Sequence, residues 1–186
     1  QQLGKKMTVG VTLPIAAAGV AAYKELAEAG KVSAQTAAAI KSTGGVANVT
    51  AGQVDKLGNS LMRTSGMDDE LIKSGANLLL TFRKIHNEVG KGNQVFDRAT
   101  KAALDLSVSG FGDMTSTSKM LGKALNDPIL GITAMTRAGV TFTQSQKDSI
   151  KAMGESGDIL GAQKKILKEI ETQVGGSAKA YGQTLA

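Results

Sequence analysis

Glycine interrupts this chain so often that no long unbroken helix fits it. There are 23 glycines in 186 residues, and several precede a residue type that opens helices. Ser33 follows Gly30, Thr50 follows Gly44-Gly45, Thr143 follows Gly139 and Asp158 follows Gly157. Glycine closes a helix because it adopts the left-handed conformation without a Cβ clash, and Ser, Thr and Asp open the next by accepting from free backbone amides. The pattern predicts an all-α chain of seven to nine short helices joined by Gly-rich turns, with no sheet beyond a stray pair of strands.

Residue by residue, Ser33 is expected to cap a helix over 34–42. Thr50 with Gln53 forms a capping box for a helix reaching about Arg63. Asp68, Asp69 and Glu70 open a helix through Leu71, Ile72, Leu78, Leu79, Leu80 and Phe82, with the acids at its positive end. Val95 to about Leu106 is helical, with Ala99, Ala102 and Ala103 on its apolar face. Thr115 or Ser116 starts a helix to Leu125. Asp127-Pro128 restarts one, Asp at the N-cap and Pro at the first helical position. Gly139 to Thr143 alternates like a strand but is too short to carry a sheet. Thr143 with Gln146 caps a helix over 144–153. Asp158 caps the last clear helix, Ile159 to Val174, closed by Gly175-Gly176, with Ala162, Ile166, Leu167 and Ile170 among its apolar positions.

Residues 1–30 stand apart from residues 31–186. Between Lys6 and Lys24 lie 17 uncharged residues, Met7 to Tyr23, Ala/Gly/Val-rich and interrupted by Pro14. Three readings fit: a buried or self-associating helix, a membrane-inserting segment, or a signal peptide led by Lys5-Lys6. A bilayer span needs about 20 apolar residues, with a lower bound near 17. Ala17 with Ala21, and Ala18 with Ala22, recur four apart and permit close helix approach. A helix from Pro14 to Ala29 would end at Gly30.

Composition narrows the chemistry. No cysteine is present, which removes disulfides, thiolate metal sites and cysteine nucleophiles. One histidine leaves no multi-histidine metal site. Aromatics are 3%, without Trp, which argues against a stacking platform for single-stranded nucleic acid. The formal charge is +6 and is spread along the chain. Residues 1–93 hold 11 basic and 7 acidic residues (+4), and residues 94–186 hold 11 and 9 (+2). No basic arm exists, and no sequence-specific nucleic-acid binding is expected.

No phosphate-binding loop, nucleophile elbow or zinc-protease motif occurs. The acidic trio Asp68, Asp69 and Glu70 suits helix capping better than metal binding. His86 has no sequence neighbour that makes it a catalyst. The glycines of Ser109-Gly110-Phe111-Gly112-Asp113 lack the preceding strand a nucleotide loop needs. The expectation is no catalytic, cofactor-binding or metal residue, and no enzyme.

One resemblance runs through the chain. The run Ala124-Leu125-Asn126-Asp127-Pro128-Ile129-Leu130-Gly131, then Ala138-Gly139-Val140-Thr141-Phe142-Thr143, then Gln146-Lys147, is similar to tail tape measure proteins of long-tailed bacteriophages and prophages. So are Gly157-Asp158, Ala162 to Glu169, and Gly175-Gly176-Ser177-Ala178. Upstream, Asn77 to Phe82, Val95-Phe96, and Lys5-Lys6-Met7 leading into Val11-Thr12-Leu13-Pro14 resemble the same family in the same order.

The resemblance implies a structural virion protein that sets tail length during assembly and is released during genome ejection. It implies a segment of a longer protein, since family members exceed 186 residues and this chain begins with Gln. It also implies residence in the tail lumen or tip, assembly in the host cytoplasm, and homo-oligomerisation about a threefold or sixfold axis. Expected partners are tail tube and tail tip proteins and assembly chaperones, with host membrane contact during ejection. The alternative is a membrane-active helical translocator or pore-forming protein using residues 7–23.

Overall fold

Side-chain oxygens set where the helices of this protein begin. The computed structural model describes residue 27 and residues 30–185, and among these every regular element is an α-helix. Residues 30–42 form α1. Then come α2 (Ala51–Ser65), α3 (Asp69–Leu80), α4 (Val95–Val108), α5 (Met114–Asn126), α6 (Pro128–Arg137), α7 (Gln144–Glu155), α8 (Ile159–Val174) and α9 (Ser177–Thr184).

Two complete capping boxes open α2 and α7. Thr50 Oγ1 accepts from the Gln53 amide at 3.2 Å while Gln53 Oε1 accepts from the Thr50 amide at 2.8 Å. Thr143 and Gln146 repeat the exchange at 3.2 and 2.7 Å. Asp68, Asp127 and Asp158 each accept from the amide three residues on, and Pro128 sits at the first turn of α6. Gly66 ends α2 with φ 68°, where a side chain would be strained.

Three expected starts and ends differ. Ser33 is no N-cap, because residues 30–33 are already helical and Gly30 belongs to α1. A glycine costs a helix only about 1 kcal/mol, and the Ala-rich run beyond it supplies the propensity. The start expected at Thr115 or Ser116 lies earlier: Asp113 Oδ1 accepts from the Ser116 amide at 2.7 Å, and Met114 is the first helical residue. That register buries Met114 and Thr117, whose hydroxyl donates to the Ala103 carbonyl at 2.8 Å. Phe82 falls outside α3, which stops at Leu80, and packs against Gly122 of α5.

The alternation from Gly139 to Thr143 is real, with Val140 and Phe142 buried and Thr141 exposed, but no strand pairs with it. The Gln173 amide takes the partner's place. Its Oε1 accepts from the Thr141 amide at 3.1 Å and its Nε2 donates to the Thr141 carbonyl at 2.6 Å. Among the described residues the β-type pairing is one isolated antiparallel bridge, Asn87 with Gln94.

The centre is made by α3, α4 and α5. Helix α6 folds back on α5, α7 lies against α6 and α8, α8 covers α4, and α9 closes across α2 and α4. Phe96, Ile72, Leu79, Leu80, Leu104, Leu121, Leu125, Met135 and Ile150 are fully buried. Each contributes roughly 1.5–3 kcal/mol on leaving water. Aliphatic side chains thus do most of the work that aromatics do elsewhere. Close approach helps them: a Cβ on Gly131 of α6 would overlap the backbone of Ala124 on α5. Ala17, Ala18, Ala21 and Ala22 lie outside the described residues. So do the segment 7–23 and most of the 1–30 region.

Candidate functional site

Ionisable groups gather at four places, three of which have a structural occupation. The first joins α2 to α3. Lys73 is buried, with its ammonium 2.7 Å from Asp69 and 3.6 Å from Asp55. Burial alone would depress the Lys73 pKa. The hydrogen bond to Asp69 and the charges of Asp69, Asp55 and Glu70 outweigh it and hold the ammonium above its ordinary value. Gly58 makes room, since a Cβ there would lie 2.9 Å from Lys73 Cγ.

The acidic trio sits beside this pair, its carboxylate oxygens within 4.8 Å of one another. Asp68 is spent on the Leu71 amide at 3.1 Å and Asp69 on Lys73. Glu70 is left with desolvation and two acidic neighbours, Asp69 and Asp68, which raise its pKa. Capping and ion pairing account for the first two carboxylates, as the sequence suggests for a helix start.

The second place is the loop between α3 and α4. His86 Nε2 lies 2.7 Å from Glu88 Oε1 beside a shallow recess of about 330 Å³ that also meets Lys84, Asp158 and Gln163. The pair has the form of an oriented imidazole, but no Ser, Thr or Cys lines the recess with it. Below it Gln163, almost fully buried, donates to the Lys84 carbonyl at 2.7 Å and the Leu125 carbonyl at 2.9 Å.

The third place fastens the same loop to α8. Arg98 meets Glu171 in a two-pronged pair, Nε to Oε1 at 2.8 Å and Nη2 to Oε2 at 3.0 Å, and its Nη1 donates to the Gly92 carbonyl at 2.9 Å. Lys164 reaches Asn93 at 2.9 Å. The fourth is Asp105 of α4, also buried, whose carboxylate accepts from the amides of Ala178 at 2.9 Å and Gly176 at 3.3 Å. It caps α9 from 71 residues away. The turn 109–113 ends in Asp113, which caps α5; hydrogen bonds from the Ser116 backbone hold its carboxyl below the usual carboxylate range.

Sequence reasoning missed Lys73, Asp105 and Gln163 as buried polar anchors and Arg98 as a half-buried one. The available signal was a polar residue in an apolar stripe, seen at Gln163 between Ala162 and Ile166. Of the α8 positions Ile159, Ile166 and Ile170, the last two are fully buried in the chain's own core and Ile159 is half-buried. Among the described residues no helix is long and apolar enough to cross a membrane. Comparison with known protein families, curated proteins and solved structures finds no match.

Proposed function

We propose that this chain is a segment of a phage or prophage tail tape measure protein, acting in tail assembly and genome ejection as a structural component and not as an enzyme. The observation that carries the proposal is the ordered resemblance from Lys5-Lys6-Met7 to Gly175-Gly176-Ser177-Ala178, which spans nearly the whole sequence. The helical architecture supports it, since the role needs length and assembly surfaces more than reactive groups.

The folded form narrows the proposal. A continuous helix of 186 residues would extend about 280 Å at about 1.5 Å per residue. The longest helix with both ends described, α8, has 16 residues, or about 24 Å. In this folded state the segment is a globular part of the tape measure protein near the tail lumen or tip, and the ruler rod lies elsewhere. Copies assemble about the tail axis, in threes or sixes, against tube and tip proteins.

An in-frame deletion of the segment, in the phage or prophage that encodes it, tests the proposal by electron microscopy of the particles. Shortened or missing tails are the expected result. Infectious particles with tails of normal length and number overturn it. The competing membrane-active reading rests on the 17 uncharged residues from Met7 to Tyr23. Flotation of the full chain with anionic liposomes, lost on removing residues 1–30, would favour that reading.

A further inference from the structure

The exposed face built by α2, α4 and α9 gathers cations whose neighbouring acids are otherwise engaged. Lys56 and Arg63, both exposed, border one recess along α2 with Asn59 and Thr64. Lys56 also borders a recess between α2 and α4. Thr64 also borders a third, where exposed Lys101 of α4 and Lys179 of α9 meet. Shared walls make the three recesses one continuous surface.

The acids of these helices leave it net positive: Asp97 and buried Asp105 border the recesses against four cations. Asp55, the one acid on α2, turns to Lys73, and Asp105 is spent on the α9 amides. Asp97 stands at the edge of the second recess and accepts from the Asn87 side chain at 2.8 Å. Helix α9 carries no acid, and none of these four cations is ion-paired within the described residues.

We propose that this face binds the phosphate backbone of duplex nucleic acid without reading its sequence. Independent of the tail assignment, the proposal follows from what the face offers and lacks. Cations flanked by the Asn59 amide and the Ser60 hydroxyl match phosphate oxygens, which take Lys, Arg, Ser, Thr and Asn contacts. A protein partner calls for exposed aromatic or large apolar anchors at the centre of the contact; here the large apolar residues that line the recesses, Leu57, Leu61 and Val49, are half-buried or buried, and every exposed lining residue is polar. A single strand calls for aromatic stacking, also lacking here. Lys56 and Arg63 are seven residues apart, about 10 Å along the helix axis, comparable with the roughly 12 Å width of the major groove between two phosphate rows.

The test is fluorescence anisotropy of the full chain with a labelled random-sequence DNA duplex over a salt series. Four phosphate contacts give a slope of log affinity against log salt of about −3.6, at roughly 0.9 per contact. The variant with Lys56→Glu, Arg63→Glu, Lys101→Glu and Lys179→Glu is compared with a control carrying Lys119→Glu, Lys123→Glu, Arg137→Glu and Lys168→Glu. All eight positions are exposed, and each set moves the formal charge from +6 to −2, two units per reversal. Circular dichroism and thermal melting establish that both sets fold, and single reversals replace a set that does not. The expected result is at least a tenfold loss for the face variant and at most a threefold loss for the control. Equal losses, no loss in the face variant, or no binding by the parent chain at low salt overturn the proposal. Polyglutamate competing as well as unlabelled duplex would move the face to an acidic protein and overturn it too.

Discussion

Lys73 shows how a single charged group is tolerated inside a bundle with few large side chains. Its ammonium is buried against α2, and the cost of desolvation is offset by Asp69 and Asp55. Because the folded pKa is raised above the ordinary 10.5, this contribution is full below the unfolded pKa and disappears as pH rises through the folded one. Stability of the wild-type chain should therefore fall above about pH 10.5, beyond what exposed lysines cause. Lys73→Met keeps the apolar stem and removes the charge. It should cost about 3 kcal/mol at pH 7 by leaving Asp69 and Asp55 without their cation, and show a weaker alkaline decline. Urea titrations between pH 7 and 11 check both; parallel curves would assign the decline to other groups.

Helix starts divide into those written locally and those written at a distance. Thr50, Asp127, Thr143 and Asp158 were legible because the oxygen that caps and the amide that needs it are three residues apart. Thr143→Ala should lower stability by about 1 kcal/mol, read as a shift in the urea midpoint with unchanged slope. Helices α4 and α9 have no side-chain bond from their own N-cap. Asn87 Oδ1 serves the Phe96 and Asp97 amides across the loop, and Asp105 serves α9 from another helix. The start of α4 was legible from its apolar periodicity. Helix α9 was not: Gly175-Gly176 reads as an end, and the residue that restarts the helix is remote. Ser33 errs in the opposite direction, since a capping residue type says nothing of whether a helix is already under way. The anchors Arg98 and Gln163 were hidden for the same reason as α9, because their partners come from elsewhere in the sequence; Lys73 has Asp69 four residues before it, and what was hidden is its burial against Asp55 and Gly58 of α2.

On the scale of the whole molecule, Ala162, Ile166, Leu167 and Ile170 of the α8 stripe are buried in the chain's own core and offer no surface to a second copy. Exposed Leu130 and the face around Leu71 and Tyr181 remain on the described part. The Ala17, Ala18, Ala21 and Ala22 face lies outside it. If that face joins copies, Ala18→Leu with Ala22→Leu should lower the oligomer mass in light scattering while far-ultraviolet dichroism stays constant, because Leu is a good helix former and the added bulk blocks close approach. Unchanged mass would remove this face from the interface.

The remote cap on α9 also fixes an order of mechanical failure. Helix α9 straps α2 to α4, and its first turn is held to the bundle by two amides on the Asp105 carboxylate. Tension applied beyond Leu185 peels the strap from its far end, where each bond carries the load in turn. The final grip to yield is Asp105, before any side chain of the central layer has to move. Pulled in an optical trap from that end, the chain should release α9 as a separate low-force step ahead of the main rupture. In Asp105→Ala that step should merge into the baseline, leaving the force of the main rupture in place. A bundle fastened this way comes undone in sequence when drawn from beyond Leu185, with α9 leaving ahead of the central layer.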